Sequence, residues 1–383
     1  MNTFGRRVIL LLKKITEPRN KTPTEGEAEI TSIIVRPLVL AIFLSFIFSL
    51  GGLFLMVIVP LELDRLIEKN YISDPLSVDE EYIEVQAQYE SVVAFLTPLA
   101  YLSFWLLIAI IILGVLIKRY ELSFLGSLTF YLPIFGQFVG IMGSFFAGIG
   151  VIRTLWLPFL DHAPELLNLG AIFYFPLLVI FLLIVLPLIY LLLILYESLL
   201  IPLLGVEMSI SITNVLISMI IFFIAGVGFF ILTFAVATWL YGRFQGRKVI
   251  DFWIYRYSRH PQYLGLIIWN YSLLLPSIPP FTLFPPTFPF LVLTLVIIGM
   301  ALNEENTMIR QHTEEYLTWR ERTPFLVPLP RRISSLIAYP LRKVIKKEWP
   351  ENNKDIIRVI LIYGVIVVLL SVPLLPLFSY TES

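Results

Sequence analysis

Most of the residues that could do chemistry lie in two short segments of the C-terminal half. The first, residues 255–265, reads Tyr-Arg-Tyr-Ser-Arg-His-Pro-Gln-Tyr-Leu-Gly and leads into a long apolar run. The second begins at the far end of that run with two adjacent carboxylates, Glu304 and Glu305. Ionised groups at the end of an apolar helix are costly unless they are hydrogen-bonded or paired. The basic partners that the first segment offers are Arg256, Arg259 and His260.

The residues that follow the carboxylates repeat at helical spacing. One predicted helix face carries Glu305, Ile309, His312, Tyr316 and Trp319. A pocket with carboxylates, an imidazole, arginines and aromatic rings suits a cationic, nucleotide-like cofactor. Carboxylates accept hydrogen bonds from ribose hydroxyls or an ammonium group, and aromatic faces attract a sulfonium cation. Arginine can hold an anionic group of a substrate through two hydrogen bonds.

Each of these residue types also has an ordinary structural explanation. Basic residues beside a membrane helix commonly set topology, and Tyr and Trp commonly anchor helix ends at the membrane interface. An isolated histidine is usually structural. The functional hypothesis therefore rests on the combination of these residues and on their order.

The composition predicts an integral membrane protein built from helices. Of 383 residues, 58% are hydrophobic and only 15% are charged, whereas soluble domains carry about 25% charged residues. The formal net charge is zero, so nothing favours nucleic-acid binding. The absence of cysteine excludes disulfides and thiolate metal sites, and the three histidines form no metal-binding pair. No metal site is predicted.

Seven charge-free runs are each long enough to cross a membrane, which takes ~20 apolar residues in a helix. They cover residues 37–61, 91–117, 122–152, 166–196, 208–241, 262–303 and 359–381. Prolines between Pro276 and Pro289 interrupt the run 262–303, which therefore predicts two helices joined by a turn. Such a hairpin would bring the two reactive segments to the same membrane face.

The distribution of charge predicts which loops face the cytoplasm. Residues 62–90 hold nine acidic and two basic residues and are expected outside, whereas 242–261 holds five basic residues and one acidic residue. The other segments expected inside are 118–119 and 304–358. A simple count of crossings agrees with this only if the run 122–152 enters and returns. The residues that favour such a return are Pro133, Gly136, Gly140, Gly143, Gly148 and Gly150.

These patterns divide the chain into four parts. Residues 1–36 predict a basic interfacial helix, with Phe4, Val8, Leu11 and Ile15 at helical spacing, and a polar linker. Residues 37–205 predict a transmembrane region without reactive residues. Residues 206–330 hold the reactive core, and residues 331–383 a basic segment and a final transmembrane helix.

The order of the reactive elements resembles one superfamily of membrane enzymes. It combines Arg-His-Pro-x-Tyr-x-Gly at 259–265, a helical hairpin, the Glu-Glu pair and a tyrosine-containing helix before Pro-Phe-x-x-Pro at 324–328. This is similar to the isoprenylcysteine carboxyl methyltransferase and phospholipid methyltransferase superfamily, over about residues 208–330. The resemblance implies a membrane methyltransferase core with its catalytic loops on the cytoplasmic side. It also implies S-adenosylmethionine as cofactor and a lipid or lipidated acceptor that arrives through the bilayer.

The resemblance further implies the roles of individual residues. Those that would bind the cofactor are His260, Pro261, Tyr263, Glu304 and Glu305, helped by Tyr255 and by the backbone near Leu326 and Pro328. Arg256 and Arg259 would face the cofactor carboxylate or the substrate. For an amine substrate, Glu305 is a candidate proton acceptor. Two features depart from the family pattern, because Trp253-Ile254 stands where Gly-Pro is common and Trp319 stands in place of a second tyrosine.

Two other functions stay open at this point. Sterol reductases, which use a nicotinamide cofactor, share a His-Pro-x-Tyr-x-Gly pattern but usually have an Arg-Asp pair where this chain has Glu304-Glu305. A non-enzymatic lipid-binding or scaffolding protein could also keep the same fold. The intact Arg259, His260 and Tyr263 argue against that second alternative.

The charge asymmetry makes a testable prediction of topology. Single cysteines placed by Glu80→Cys and Arg247→Cys should react with a membrane-impermeant maleimide from opposite sides of the membrane. The label is specific because the chain has no other cysteine. Reaction of both positions from the same side would contradict the predicted arrangement.

Overall fold

The protein is an all-α bundle, as the apolar runs of the sequence predict. The computed structural model describes residues 36–52, 82–142, 155–180, 201–274, 285–347 and 349–378, with single positions between 54 and 66. Regular secondary structure in these ranges is entirely helical, and they contain no β-strand. The interfacial helix predicted in residues 1–36 lies outside them, apart from Arg36.

Twelve α-helices are described in these ranges. They are α1 (Arg36–Gly52), α2 (Tyr82–Leu116), α3 (Tyr120–Met142), α4 (Leu157–His162), α5 (Tyr174–Ile180), α6 (Ile201–Phe244), α7 (Pro261–Ser272), α8 (Phe288–Gln311), α9 (Thr313–Arg322), α10 (Arg331–Ile345), α11 (Asn353–Ser371) and α12 (Leu375–Phe378). Short 3-10 helices lie at Pro164–Asn168, Ala171–Phe173, Trp253–Arg256 and Val372–Leu374.

Four helical segments are long and apolar enough to cross a membrane. Among the described residues they are Thr97–Leu116, Phe223–Phe244, Phe288–Gln311 and Asn353–Leu377. Large apolar side chains such as Trp105 and Phe230 lie on their outer surfaces, 63% and 67% exposed. Such surfaces suit contact with lipid. The predicted class, a membrane protein with several transmembrane helices, agrees with these features, and the sidedness of its loops stays a prediction.

Two of the predicted crossings look different in the structure. In the run 122–152, Pro133, Gly136 and Gly140 lie inside the continuous helix α3, so they do not mark a turn, and residues 143–154 lie outside the described ranges. A proline is tolerated inside a membrane helix when neighbouring groups satisfy the freed carbonyl. The run 166–196 begins with 3-10 turns instead of one straight helix. The predicted boundary at 205–206 falls within α6.

The run 262–303 contains two helices, α7 and α8, as predicted, and most of the Pro-rich segment between them lies outside the described ranges. α7 has only 12 residues and is about 18 Å long, which is too short to cross a hydrocarbon core of about 30 Å. It packs on α6 through glycines, since a Cβ on Gly228 would lie 2.5 Å from the Trp269 backbone nitrogen and one on Gly265 would lie 2.5 Å from that of Leu232. Close backbone contact at small residues is typical of membrane helix pairs.

The prediction of one helix face from Glu305 to Trp319 is wrong. α8 ends at Gln311, His312 has φ −141° and ψ 51°, and α9 begins at Thr313. The break turns α9 away from the line of α8 and back over the first reactive segment, where the Trp319 indole donates a hydrogen bond of 3.3 Å to the Tyr255 carbonyl.

The contact between α6 and α7 makes a prediction about stability. Gly228→Ala should lower the free energy of unfolding by about 1–3 kcal/mol, because the added methyl group would overlap the α7 backbone. Gly226→Ala is the matched control, since a Cβ there meets nothing within 4 Å. Thermal melting in detergent micelles should show a lower midpoint for the first variant alone. Equal midpoints for the two variants would contradict close packing at Gly228.

Candidate functional site

The first reactive segment is held in place by local backbone geometry and by the segment after α9. His260 is the N-cap of α7, and Pro261 takes the first helical position, where a missing N–H costs nothing. The backbone N–H of Arg259 donates a hydrogen bond of 2.9 Å to the Pro324 carbonyl. The Pro-Phe segment therefore orients the two residues that carry the guanidinium and imidazole groups.

Glu305 lies at the centre of the site and is fully buried. Its Oε2 accepts a hydrogen bond of 2.9 Å from Arg259 Nη1 and lies 3.8 Å from Arg320 Nε. Its Oε1 lies 3.1 Å from His260 Nε2. We call Arg259, His260, Glu305 and Arg320 the Glu305 cluster. The cluster joins the start of α7, the end of α8 and the end of α9.

Aromatic rings enclose the guanidinium groups of this cluster. Arg259 lies 5.6 Å from the Phe325 ring centre and 5.2 Å from that of Trp349, and Arg320 lies 4.1 Å from that of Trp349. Phe325 also packs edge-on against the His260 ring at 5.2 Å. Cation–π contacts compensate part of the cost of removing these cations from water.

Burial changes the ionisation of the groups around Glu305. It lowers the pKa of Arg259, while the neighbouring Glu305 carboxylate opposes this by favouring the charged form. Burial and then the Glu305 charge raise the pKa of Tyr316, which is 2% exposed and lies near Arg259. Tyr316 therefore stays a neutral phenol beside the ion pair.

The second carboxylate, Glu304, has a different environment. Its side chain is 43% exposed, and its Oε2 lies 3.7 Å from His260 Nδ1. The Glu304 charge acts on Tyr263 nearby, whose ring stacks on His260 at 5.6 Å. His260 Nδ1 is buried without a hydrogen-bond partner. Glu304 forms a polar edge that could accept hydrogen bonds from a cationic ligand, and His260 is buried behind it.

That polar edge borders a large cavity, which we call the central cavity. Its volume is about 1120 Å³, slightly above the roughly 300–1,000 Å³ of typical ligand pockets. Its polar residues include Glu121, Tyr255, Gln262, Tyr263, Asn303 and Glu304. Apolar side chains from α1, α3, α6, α7 and α8 form most of the remaining wall. One end of the cavity is therefore polar, and the greater part is apolar.

The structure brings together some of the residues predicted for the site and separates others. Arg259, His260, Glu304 and Glu305 meet as expected, and Tyr255 and Tyr263 line the central cavity. Arg256 stands apart, because it is exposed and lines a surface cleft with Glu314 and Glu315. Leu326 and Pro328 do not line the cavity either. Pro324 and Phe325 make the contacts with the first segment instead.

Several residues of the site were missed by sequence reasoning. They are Glu121 in α3, Gln262 beside the histidine, Arg320 in α9, Trp349 before α11, and the side chains of α1 that line the cavity. Arg320 follows Tyr316 at helical spacing, which is a local signal. Glu121 and Trp349 come from distant parts of the chain, and no spacing rule links them to the site.

Comparison with known proteins found no match to this chain among family models, curated proteins or solved structures. The motifs of residues 208–330 and the geometry of the described site are therefore what points to a function.

The two carboxylates make contrasting predictions for stability. Glu305→Gln should lower the free energy of unfolding by about 3–5 kcal/mol, because it leaves buried cations without their counter-charge. Glu304→Gln should cost less than about 1 kcal/mol, since a partly exposed ion pair contributes little. The measurement is thermal melting in detergent with each purified variant. Equal destabilisation by the two substitutions would contradict the central position of Glu305.

Proposed function

We propose that this protein is an integral membrane methyltransferase that uses S-adenosylmethionine and acts on a lipid or lipidated acceptor. The observation that carries the proposal is one cavity with two contrasting ends. Its polar edge contains the motif residues Tyr255, Tyr263 and Glu304, and its apolar wall is built from membrane helices. A cationic cofactor suits the polar edge, and the apolar tail of a lipid suits the apolar wall.

The residues at the polar edge fit the proposed cofactor. S-adenosylmethionine supplies an electrophilic methyl group on a sulfonium cation. Glu304 would accept hydrogen bonds from the ammonium group or the ribose hydroxyls, and the buried His260 behind it would hold it in place. Tyr255 and Tyr263 present aromatic faces that favour a cation. Since the cofactor supplies the reactive group, the protein's main task is to position the two reactants.

The contacts of Glu305 argue against the role of proton acceptor that the sequence suggested for it. Both its oxygens are engaged by Arg259, His260 and Arg320, and its side chain is inaccessible to solvent. A carboxylate held in this way is poorly placed to take a proton from an acceptor. We propose instead that Glu305 orients His260 and the end of α9.

The charges of the cavity favour this cofactor over a nicotinamide dinucleotide. Dinucleotide phosphates are usually held by arginine, lysine or helix N-termini. The described residues that line the central cavity include no lysine or arginine, but they include two carboxylates, Glu121 and Glu304. This arrangement would repel phosphate groups and supports the methyltransferase over the reductase.

Cofactor binding gives the direct test. S-adenosylhomocysteine should bind the purified protein with micromolar affinity, about −8 kcal/mol by calorimetry. Glu304→Ala should weaken binding roughly 10- to 100-fold, as expected for loss of a hydrogen bond to a charged group. His260→Ala should also weaken binding, because His260 lies against Glu304 and Tyr263 and holds both in place. Glu321→Ala, at an exposed position of α9, is the control and should bind as the wild type does. Absence of binding by the wild type, or binding of a reduced nicotinamide dinucleotide in its place, would refute the proposal.

A further inference from the structure

The helix α10 carries an unbroken apolar stripe along one side. Its apolar residues recur at the spacing of one helix face, and they are Ile333, Leu336, Ile337, Pro340, Leu341, Val344 and Ile345. The other positions are mostly polar, and Ser335 lies opposite the middle of the stripe. A helix with this pattern has to cover its apolar side, either with protein or with lipid.

The protein covers only one edge of this stripe. Leu341 and Ile345 are buried in a cluster with residues of α3, α8 and α11. Along the rest of the stripe, Leu336 is 73% exposed, Val344 is 59% exposed, and Ile333 is exposed as well. Contiguous exposed apolar groups mark a surface that contacts a partner or a membrane.

The stripe lies at the level where α11 enters the membrane. Arg358 is the last charged residue before the apolar run 359–381, which belongs to a candidate transmembrane segment. Tyr363 comes fewer than two helical turns later, and its hydroxyl donates a hydrogen bond of 2.6 Å to the Ile337 carbonyl. A tyrosine at such a boundary keeps its ring in the apolar phase and its hydroxyl near the polar one. α10 therefore crosses α11 near the membrane interface.

The charge of α10 is entirely positive. It contains no acidic residue, and its basic residues are Arg331, Arg332, Arg342 and Lys343. In the described part of the chain, Arg332, Arg342 and Lys343 form no ion pair, since Asp355 after the helix is paired with Lys347 and Arg358 instead. These positive charges complement an anionic surface.

Two of the basic residues lie along the exposed edge of the stripe. Arg332 and Leu336 line one surface groove together with Ser335 and Tyr339. Lys343 Nζ lies 6.0 Å from the centre of the Tyr339 ring, on the same side of the helix. Cationic groups, an interfacial aromatic ring and apolar side chains thus follow one another across the helix. A phospholipid presents the matching order of anionic headgroup and acyl chain.

We propose that α10 lies in the membrane interface with its stripe among the acyl chains, and that Arg332 and Lys343 bind the headgroups of anionic phospholipids. The level of the helix beside α11 and its unpaired positive charges favour lipid over a protein partner. The proposal is independent of methyl transfer, because no residue of α10 lines the central cavity.

The depth of the helix is tested with two adjacent, exposed positions. Leu336→Cys and Ser335→Cys are each labelled with a fluorophore in the full-length protein, which has no other cysteine, and placed in phosphatidylcholine nanodiscs. Lipid brominated on its acyl chains should quench the label at 336 strongly and the label at 335 weakly, and aqueous acrylamide should do the reverse. Equal quenching of the two labels would overturn the proposal. Protection of the label at 336 from both quenchers would also overturn it, since protein would then cover the stripe.

The preference for anionic lipid is measured with the same label at 336. Brominated phosphatidylglycerol should quench it more than brominated phosphatidylcholine at equal mole fraction, with a relative affinity raised about fivefold for each basic residue in contact. High salt should reduce the difference. Arg332→Gln combined with Lys343→Gln should remove most of it. Arg322→Gln, an exposed arginine of α9 beside Glu314 and Glu315, is the control and should keep it.

The possible failures are separable. Equal quenching by the two lipids, or a preference that salt does not reduce, would overturn the headgroup assignment without any need for the double variant to fold. An undiminished preference in the folded double variant would overturn the roles of Arg332 and Lys343. Binding of S-adenosylhomocysteine, measured on the same samples, tests the proposed function separately and should be equal in the double variant and the wild type.

Discussion

The buried carboxylate of Glu305 is the interaction on which the site depends. A carboxylate with no solvent contact is stable only when cations and hydrogen-bond donors surround it. Arg259 and His260 from the start of α7 and Arg320 from α9 meet this need. These partners come from two helices and Glu305 from a third, so satisfying one charge also fixes the relative position of the motif segments. The aromatic rings of Phe325 and Trp349 then close the cluster from the side of the C-terminal segments.

The same pairing decides the electrostatic character of the central cavity. Because the arginines nearest the motif face Glu305, the cavity keeps the unbalanced carboxylates of Glu304 and Glu121 on its wall. The sequence suggested an arginine-rich site that would suit an anionic ligand. The described lining residues instead carry carboxylates, which favour a cationic ligand. The apolar wall from α1 and α6 would give the proposed acceptor a lipid-like environment. In the proposed reaction, the two reactants would meet where the apolar interior ends.

Close helix packing makes this geometry possible. α7 is too short to cross a bilayer, yet it must place His260 at a defined height beside the end of α8. Close backbone contact with α6 at Gly228 and Gly265 holds α7 in position, although α7 is too short to be anchored by spanning the membrane. In the same way, close packing of the Tyr120 ring on Gly299 of α8 holds the turn that carries Glu121. Small residues at these crossings allow backbones to approach where larger side chains would push the reactive groups apart.

The sequence by itself determined the helical membrane class, because long charge-free runs have few stable solutions other than transmembrane helices. It also determined that the two motif segments meet, since the prolines of the run 262–303 require a hairpin. It could not show that a break at His312 ends the helix face from Glu305, because periodicity continues across such a break. Nor could it show that Arg256 stands apart from Arg259, or that Glu121 and residues of α1 line the cavity. Those facts depend on which helices pack side by side, and contacts between residues more than a hundred positions apart leave no periodic trace in one sequence.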